Sequence, residues 1–198
     1  MSENVGVDLG LTGEEKRYLL ALARRTIQAH VRGVPLEYEE PESPTLREER
    51  GAFVTLYKQG QLRGCIGYIE GIKPLYLTVI DMAEAAAFND PRFPPVQADE
   101  VDELDIEISV LTPLRKVTDL REIEVGKHGI LLRRDIYQGL LLPQVATEYG
   151  WDRETFLNQT CLKAGMSPGC WKDPETEIFI FSADIFSEKD LQQETESF

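Results

Sequence analysis

A thiol, a guanidinium and two glycines stand within Leu62-Arg63-Gly64-Cys65-Ile66-Gly67, directly after a turn at Lys58-Gln59-Gly60-Gln61. With the strand period of two, Arg63, Cys65 and Gly67 share one face, and Leu62, Gly64 and Ile66 share the other. A cation beside a thiol lowers its pKa and makes the sulfur nucleophilic. Glycine is costly inside a strand, so Gly64 and Gly67 signal a bulge, or a close approach by another backbone or a ligand. The same stretch also fits a buried cysteine packed as a small hydrophobe in a glycine-kinked strand.

Three further places carry polar groups. Asp90-Pro91-Arg92-Phe93 sets Asp and Arg at i and i+2 in a loop. There the planar fork of Arg92 can orient an anion or a carbonyl. Alternatively Asp90 caps backbone N–H groups in a rigid turn and Arg92 pairs locally. Glu107 lies with Asp105 and Ser109 on one strand face, opposite Ile106, Ile108 and Val110. A carboxylate beside a cysteine strand is a candidate general base, although such a row also describes a wet sheet face. Last, Leu142-Pro143-Gln144-Val145 occupies in the second half of the chain the place that Arg63-Gly64-Cys65 holds in the first. Proline ends a ladder there, so the backbone leaves the sheet and can deliver Gln144 into a cleft, or Gln144 is satisfied by backbone at an edge. These positions together place a site where 62–67 and 142–145 meet. No phosphate loop, dinucleotide fingerprint, serine elbow or His-Glu-x-x-His pattern occurs, so the sequence names no cofactor.

The frame around these residues has 198 residues, 42% of them hydrophobic, which suits one large domain or two small subdomains sharing a core. A net charge of −14 argues against direct nucleic-acid binding and against an anionic membrane surface. It still admits a nucleotide in a small basic pocket. No apolar run is long enough to span a bilayer, and residues 1–10 do not read as a signal peptide. Three cysteines (Cys65, Cys161, Cys170) without paired short spacing are then expected as reduced thiols in the cytoplasm, Cys161 on an apolar helical face and in the core. Two distant histidines, His30 and His128, give no support to a zinc site, and no metal is expected.

The elements that must position the site follow in order. Thr12-Gly13-Glu14-Glu15 is a capping box, and Leu19, Leu22, Ala23 and Ile27 recur at helical spacing, so a helix runs to about Arg32 and stops at Gly33. His30, at the end of that face, reads as a satisfied or half-exposed histidine. Residues 36–50, rich in Pro and Glu, read as an extended, solvated connection. Strands are expected at 52–57 and 62–67, a helix over 75–88, and a third strand at 104–111. The order then repeats: a strand at 129–133, a turn at 135–139, a strand at 140–142, a helix capped by Asp152 and closed by Gly165, and a strand at 177–181. The expected architecture is α+β, with duplicated strand–strand–helix–strand units, a mostly antiparallel sheet and an extra N-terminal helix. The domain spans 12–186, its halves 51–112 and 126–186, with loose tails at 1–11 and 187–198.

Several stretches also follow one another in a recognisable series. These are Gly51-Ala52-Phe53-Val54-Thr55-Leu56, Leu62-Arg63-Gly64-Cys65-Ile66-Gly67, Asp90-Pro91-Arg92-Phe93 and Glu107-Ile108-Ser109-Val110-Leu111. Leu141-Leu142-Pro143-Gln144-Val145-Ala146, Tyr149-Gly150-Trp151-Asp152 and Cys161-Leu162-Lys163-Ala164-Gly165 complete it. The series closely resembles the AMMECR domain family, whose bacterial and archaeal members are called protein A of the AmmeMemoRadiSam system. The resemblance covers about 12–185 and implies the duplicated α+β fold. It marks 62–67 as the family hallmark and implies a genomic association with a Memo-like protein and a radical S-adenosylmethionine enzyme. It implies no particular reaction.

Two functions fit these residues. In one the protein is a cytosolic enzyme or enzyme subunit acting on a small anionic or nucleotide-like substrate. Cys65 is then nucleophile or substrate contact, Glu107 proton acceptor, Arg63 and Arg92 anion clamps and Gln144 an orienting amide, with Gly64, Gly67 and Asp90 lining the site. In the other it is a non-catalytic module whose glycine-flanked strand docks a Memo-like or radical-enzyme partner.

Overall fold

The structure, a computed structural model, describes residues 5–191. Its described residues fall into two compact units, 10–111 with 185–191, and 5–9 with 112–184. The architecture is α+β with antiparallel sheets.

The first unit opens with α1 (Gly13–Arg32), which begins at the expected capping box and ends at Gly33 with φ +64°. A short helix α2 (Pro44–Arg47) follows, then β1 (Ala52–Lys58), β2 (Gln61–Tyr68), α3 (Leu75–Phe88) and β3 (Leu104–Leu111). The sheet order is β2-β1-β3-β8, where β8 (Ala183–Ser187) contributes its residues from 185 to this unit. Gln59 and Gly60 both have positive φ, the turn that matches the twist of a two-residue hairpin. Alternate residues Val54 and Leu56 of β1 and Ile106 and Ile108 of β3 are fully buried, as are Leu75 and Val79 of α3 and Leu19, Leu22 and Ile27 of α1. α3 packs on β1 and β2, and α1 packs on α3 and β3.

The second unit holds β4 (Arg115–Lys116), β5 (Gly129–Arg134), β6 (Tyr137–Leu141), α4 (Pro143–Glu148), α5 (Arg153–Lys163) and β7 (Glu177–Phe181). Its sheet order is β4-β7-β5-β6, and α5 packs on β6 and β5. In each unit a hairpin, a helix and a third strand beside the first hairpin strand recur, so β1, β2, α3 and β3 match β5, β6, α5 and β7. Gly64 stands opposite Leu56 as Gly139 stands opposite Leu132. A Cβ on Gly64 would overlap the carbonyl oxygen of Ala86, and a Cβ on Gly139 would overlap the backbone of Ala164. Both glycines therefore mark the place where a helix end touches its sheet.

Several expectations need correction. The connection 36–50 is not wholly solvated: Ser43 accepts a hydrogen bond from the Leu46 N–H, forming α2, and Leu46 and Pro41 are buried. The second hairpin turns through the two residues directly after β5, Asp135 (φ +51°) and Ile136, so β6 begins at Tyr137 rather than at 140. Pro143 does not merely end a strand but starts α4, where its missing N–H costs nothing. The register thus makes 138–140, not 142–145, the counterpart of Arg63-Gly64-Cys65. The ends of the chain are tied where they are described. Gly6 and Val7 N–H groups donate to Gly126 and Ala183, and Glu188 binds Arg24 and the Ile106 N–H. The remainder of the expected tails, 1–4 and 192–198, lies outside the described residues. Finally, Cys161 and Cys170 form a disulfide rather than free thiols. Cys161 is in the core as expected, and both cysteines belong to the second unit's core cluster with Phe156, Leu157 and Ile130. Spacing concealed the pair because a turn after α5 folds Cys170 back to a Cα–Cα distance of 5.9 Å.

Gly64→Ala is expected to destabilise the protein by about 2–4 kcal/mol in denaturant unfolding, since backbone rather than a flexible side chain blocks the new methyl. Gly13→Ala, with only the Arg17 side chain at ordinary contact distance, serves as control and leaves stability within about 1 kcal/mol. Reduction of Cys161–Cys170, which are nine residues apart, lowers stability by about 2–3 kcal/mol. Intact-mass analysis before and after alkylation reports the pairing.

Candidate functional site

β1 is flanked by β2 and β3, so one register row crosses three strands. Cys65 of β2 and Glu107 of β3 are both direct partners of Thr55 in β1. The Thr55 hydroxyl donates to Cys65 Sγ at 3.2 Å. Strand spacing puts Glu107 about 10 Å of sheet away from Cys65, with Thr55 between them. Thr55 is buried, while Cys65 and Glu107 are half-buried. Farther along the same face Ser109 is fully buried and Asp105 half-buried, so this row is partly exposed.

β2 is an edge strand, and the outward N–H and C=O of Cys65 have no strand beyond them. The loop after α3 fills that role with side chains. Asp90 Oδ2 accepts from the Cys65 N–H at 3.0 Å, and Arg92 Nη2 reaches the Cys65 carbonyl oxygen at 3.4 Å. Asp90 also accepts from the Arg92 N–H, Nε and Nη2, at 3.1, 2.9 and 2.6 Å. The Asp90 side chain is 1% exposed, and the Arg92 guanidinium beside it holds its carboxyl down at about 2. Asp90 therefore caps backbone and Arg92 pairs locally, while the pair also blunts the sheet edge.

Burial pushes the Cys65 thiol up from its ordinary pKa, and Glu107 and Asp90 add to that. The Thr55 hydrogen bond and the Arg92 charge pull the other way without reversing it. At neutral pH the thiol is protonated. The expected cation, Arg63, is not the one that acts on it. Leu56 faces Gly64 but Tyr57 faces Leu62, so Arg63 is the extra residue of a bulge and the alternation breaks there. Arg63 instead donates to both Glu100 oxygens, at 3.2 and 2.9 Å, and to the Pro94 carbonyl at 2.9 Å. Glu100, beside that guanidinium and also accepting from the Gln97 N–H, is held at about 2.

The glycines are absorbed by packing, Gly64 against Ala86 and Gly67 against the Phe53 ring. Gln144 lies in the second unit, buried on α4. The first unit alone thus gathers Cys65, Thr55, Glu107, Asp90 and Arg92. Thr55 escaped the sequence reading because the bulge shifts the register by one: counting outward from Gln59-Gly60 without it sets Gly64, not Cys65, opposite Thr55. In the second unit the matching row is Leu140, Leu131 and Phe179, wholly apolar. His30 pairs with Glu84 at 3.2 Å and stacks on Phe88. Among the described residues no group of three or more His, Cys, Asp and Glu is placed to hold a metal ion, and no helix is long and apolar enough to cross a membrane.

A family model described as AMMECR1 matches residues 20–186. A protein of Methanothermobacter thermautotrophicus is 48% identical over 185 residues, covering 90% of this chain and 96% of that protein. Protein TK0174 of Thermococcus kodakarensis is 48% identical over 183 residues, covering 87% and 89%. The crystal structure of the uncharacterized protein PH0010 from Pyrococcus horikoshii superposes with a TM-score of 0.86 at 43% identity, covering 90% of this chain and 93% of that one.

Asp90→Asn is expected to cost on the order of 2 kcal/mol at pH 7, the free-energy equivalent of the depressed carboxyl. Because the folded-state pKa lies below the unfolded one, this stability is present above pH ~4 and is lost as pH falls toward ~2. Acid-unfolding curves of the wild type and Asp90→Asn therefore converge at the acid end; curves that stay parallel would contradict the assignment.

Proposed function

The chain belongs to the AMMECR1 family, and from that premise we propose that the Cys65–Thr55–Glu107 face is a recognition site through which the protein docks a partner in the cytoplasm. A Memo-like protein and a radical S-adenosylmethionine enzyme are the candidates. One observation carries this reading: both arginines expected to activate the thiol or clamp an anion are already paired, Arg63 with Glu100 and Arg92 with Asp90. A protonated thiol, a half-buried carboxylate and the exposed edge of Arg92 then offer a donor–acceptor pattern on a rigid sheet. The Arg92 side chain is 45% exposed, and among the described residues its Nη1 makes no hydrogen bond. Such a surface suits the amides and carboxamides of a protein partner better than a free dianion.

A second reading is catalysis on a small anionic or nucleotide-like substrate, and the Thr55–Cys65 hydrogen bond favours it. With its hydroxyl rotated, Thr55 can pass the Cys65 proton toward Glu107, leaving the sulfur as nucleophile. Cys65 and the exposed edge of Arg92, in the first unit, are then the substrate contacts.

Cys65 is the single thiol outside the disulfide, so alkylation of the folded protein reports on it alone. The docking reading expects an alkylation rate that rises only above the ordinary cysteine range, capture of a co-expressed Memo-like protein or radical enzyme by the wild type and by Cys65→Ser, and loss of capture in Cys65→Trp. A rate plateau near neutral pH that Thr55→Val shifts upward, with capture indifferent to Cys65→Trp, overturns docking in favour of catalysis.

A further inference from the structure

α1 ends at Gly33, where the Val34 N–H bonds back to the Ala29 carbonyl at 3.1 Å, and the chain then returns along the helix as an extended strap. The strap is fastened at its far end by the Tyr18 hydroxyl, which donates to the Glu39 carbonyl at 2.7 Å. The two lengths agree: from Ala29 back to Tyr18 is about 16 Å of helix, and from Val34 to Glu39 is about 16 Å of extended chain. Between them lies a groove of about 1,040 Å³ lined by both elements.

Three properties of this groove point to one kind of occupant. Val34, Pro35, Leu36 and Ala29 give it an apolar part of its lining, with Val34 52% exposed. Among the described residues, the backbone N–H and C=O groups of Leu36, Glu37 and Tyr38 make no hydrogen bond, so the strap offers an open edge. Arg25 and Arg32 line the helical wall seven residues apart, about 10 Å along one face, and neither forms an ion pair among the described residues. In a chain of net charge −14, two such arginines on one groove wall are complementary to carboxylates. Glu37 and Glu39 on the strap wall oppose acid on that side. They therefore orient an occupant so that its acidic side chains turn toward α1.

We propose that the groove between α1 and the strap 34–39 binds an extended acidic segment of a partner protein. The partner's main chain pairs with 36–38 and two of its carboxylates, two to four residues apart, meet Arg25 and Arg32. This surface is independent of the Cys65 row. An extended chain repeats side chains on one face about every 7 Å, and the long arginine stems span the remainder. Main-chain pairing supplies the affinity, and the two arginines supply the choice of sequence.

The test uses the full chain and three capped nine-residue peptides: alternating valine and glutamate, the same with glutamine for glutamate, and the first N-methylated at alternate residues. Fluorescence anisotropy is expected to show sub-millimolar binding of the first, weakened at least tenfold by either peptide change or by Arg25→Gln with Arg32→Gln. Binding should also weaken as salt rises from about 50 to about 200 mM. Amide NMR shifts should fall on 36–38, and thermal melts should show the double variant folded. Undiminished binding of the N-methylated peptide or by the folded double variant, shifts confined elsewhere, or no binding at about 5 mM peptide overturns the proposal.

Discussion

The backbone oxygen of Ala86 occupies the space in which a side chain on Gly64 would begin, and the polar arrangement around Cys65 hangs on that contact. It brings the last turn of α3 directly over β2. The helix ends at Phe88, so the chain emerges beside the strand edge and Asp90 arrives within 3.0 Å of the Cys65 N–H. Arg92 follows and covers the Cys65 carbonyl. A helix held off by even one methyl would move that loop beyond hydrogen-bonding reach, leaving an edge strand unsatisfied and a buried carboxylate without donors. The glycine is therefore a spacing device, and the polar arrangement around Cys65 is its consequence.

The second unit repeats the device, with Gly139 against Ala164, yet builds a different surface on it. Where the first unit sets Cys65, Thr55 and Glu107 across three strands, the second sets Leu140, Leu131 and Phe179. Its helix end leads into the disulfide turn instead of an Asp–Arg loop. The duplicated scaffolds thus share a backbone contact while only one copy sets polar side chains in the matching row. The electrostatics sharpen this: cations near the thiol are spent on local carboxylates, so the row is polar without being strongly charged.

What the sequence by itself determined is local. Capping residues, helical periodicity and the Gln59-Gly60 turn set α1, α3, α5 and the first hairpin, and the order of elements disclosed the duplication. Glycine in the strand announced a close approach, and Cys65, Asp90, Arg92 and Glu107 do gather in one unit. These features are legible because each depends on residues within a turn or two of one another.

Tertiary structure decided the rest. The bulge at Arg63 shifted the register by one residue, which paired Cys65 with Thr55 and sent Arg63 to Glu100. Burial then raised the thiol pKa that local charge alone was expected to lower. Cys161 and Cys170 met because a turn folded one back on the other, and Leu46 found a core that its Pro- and Glu-rich surroundings did not advertise. The physical reason is common to all of these: register, desolvation and pairing are set by which distant surfaces come into contact, and a reading of periodicity along the chain contains no distance across it.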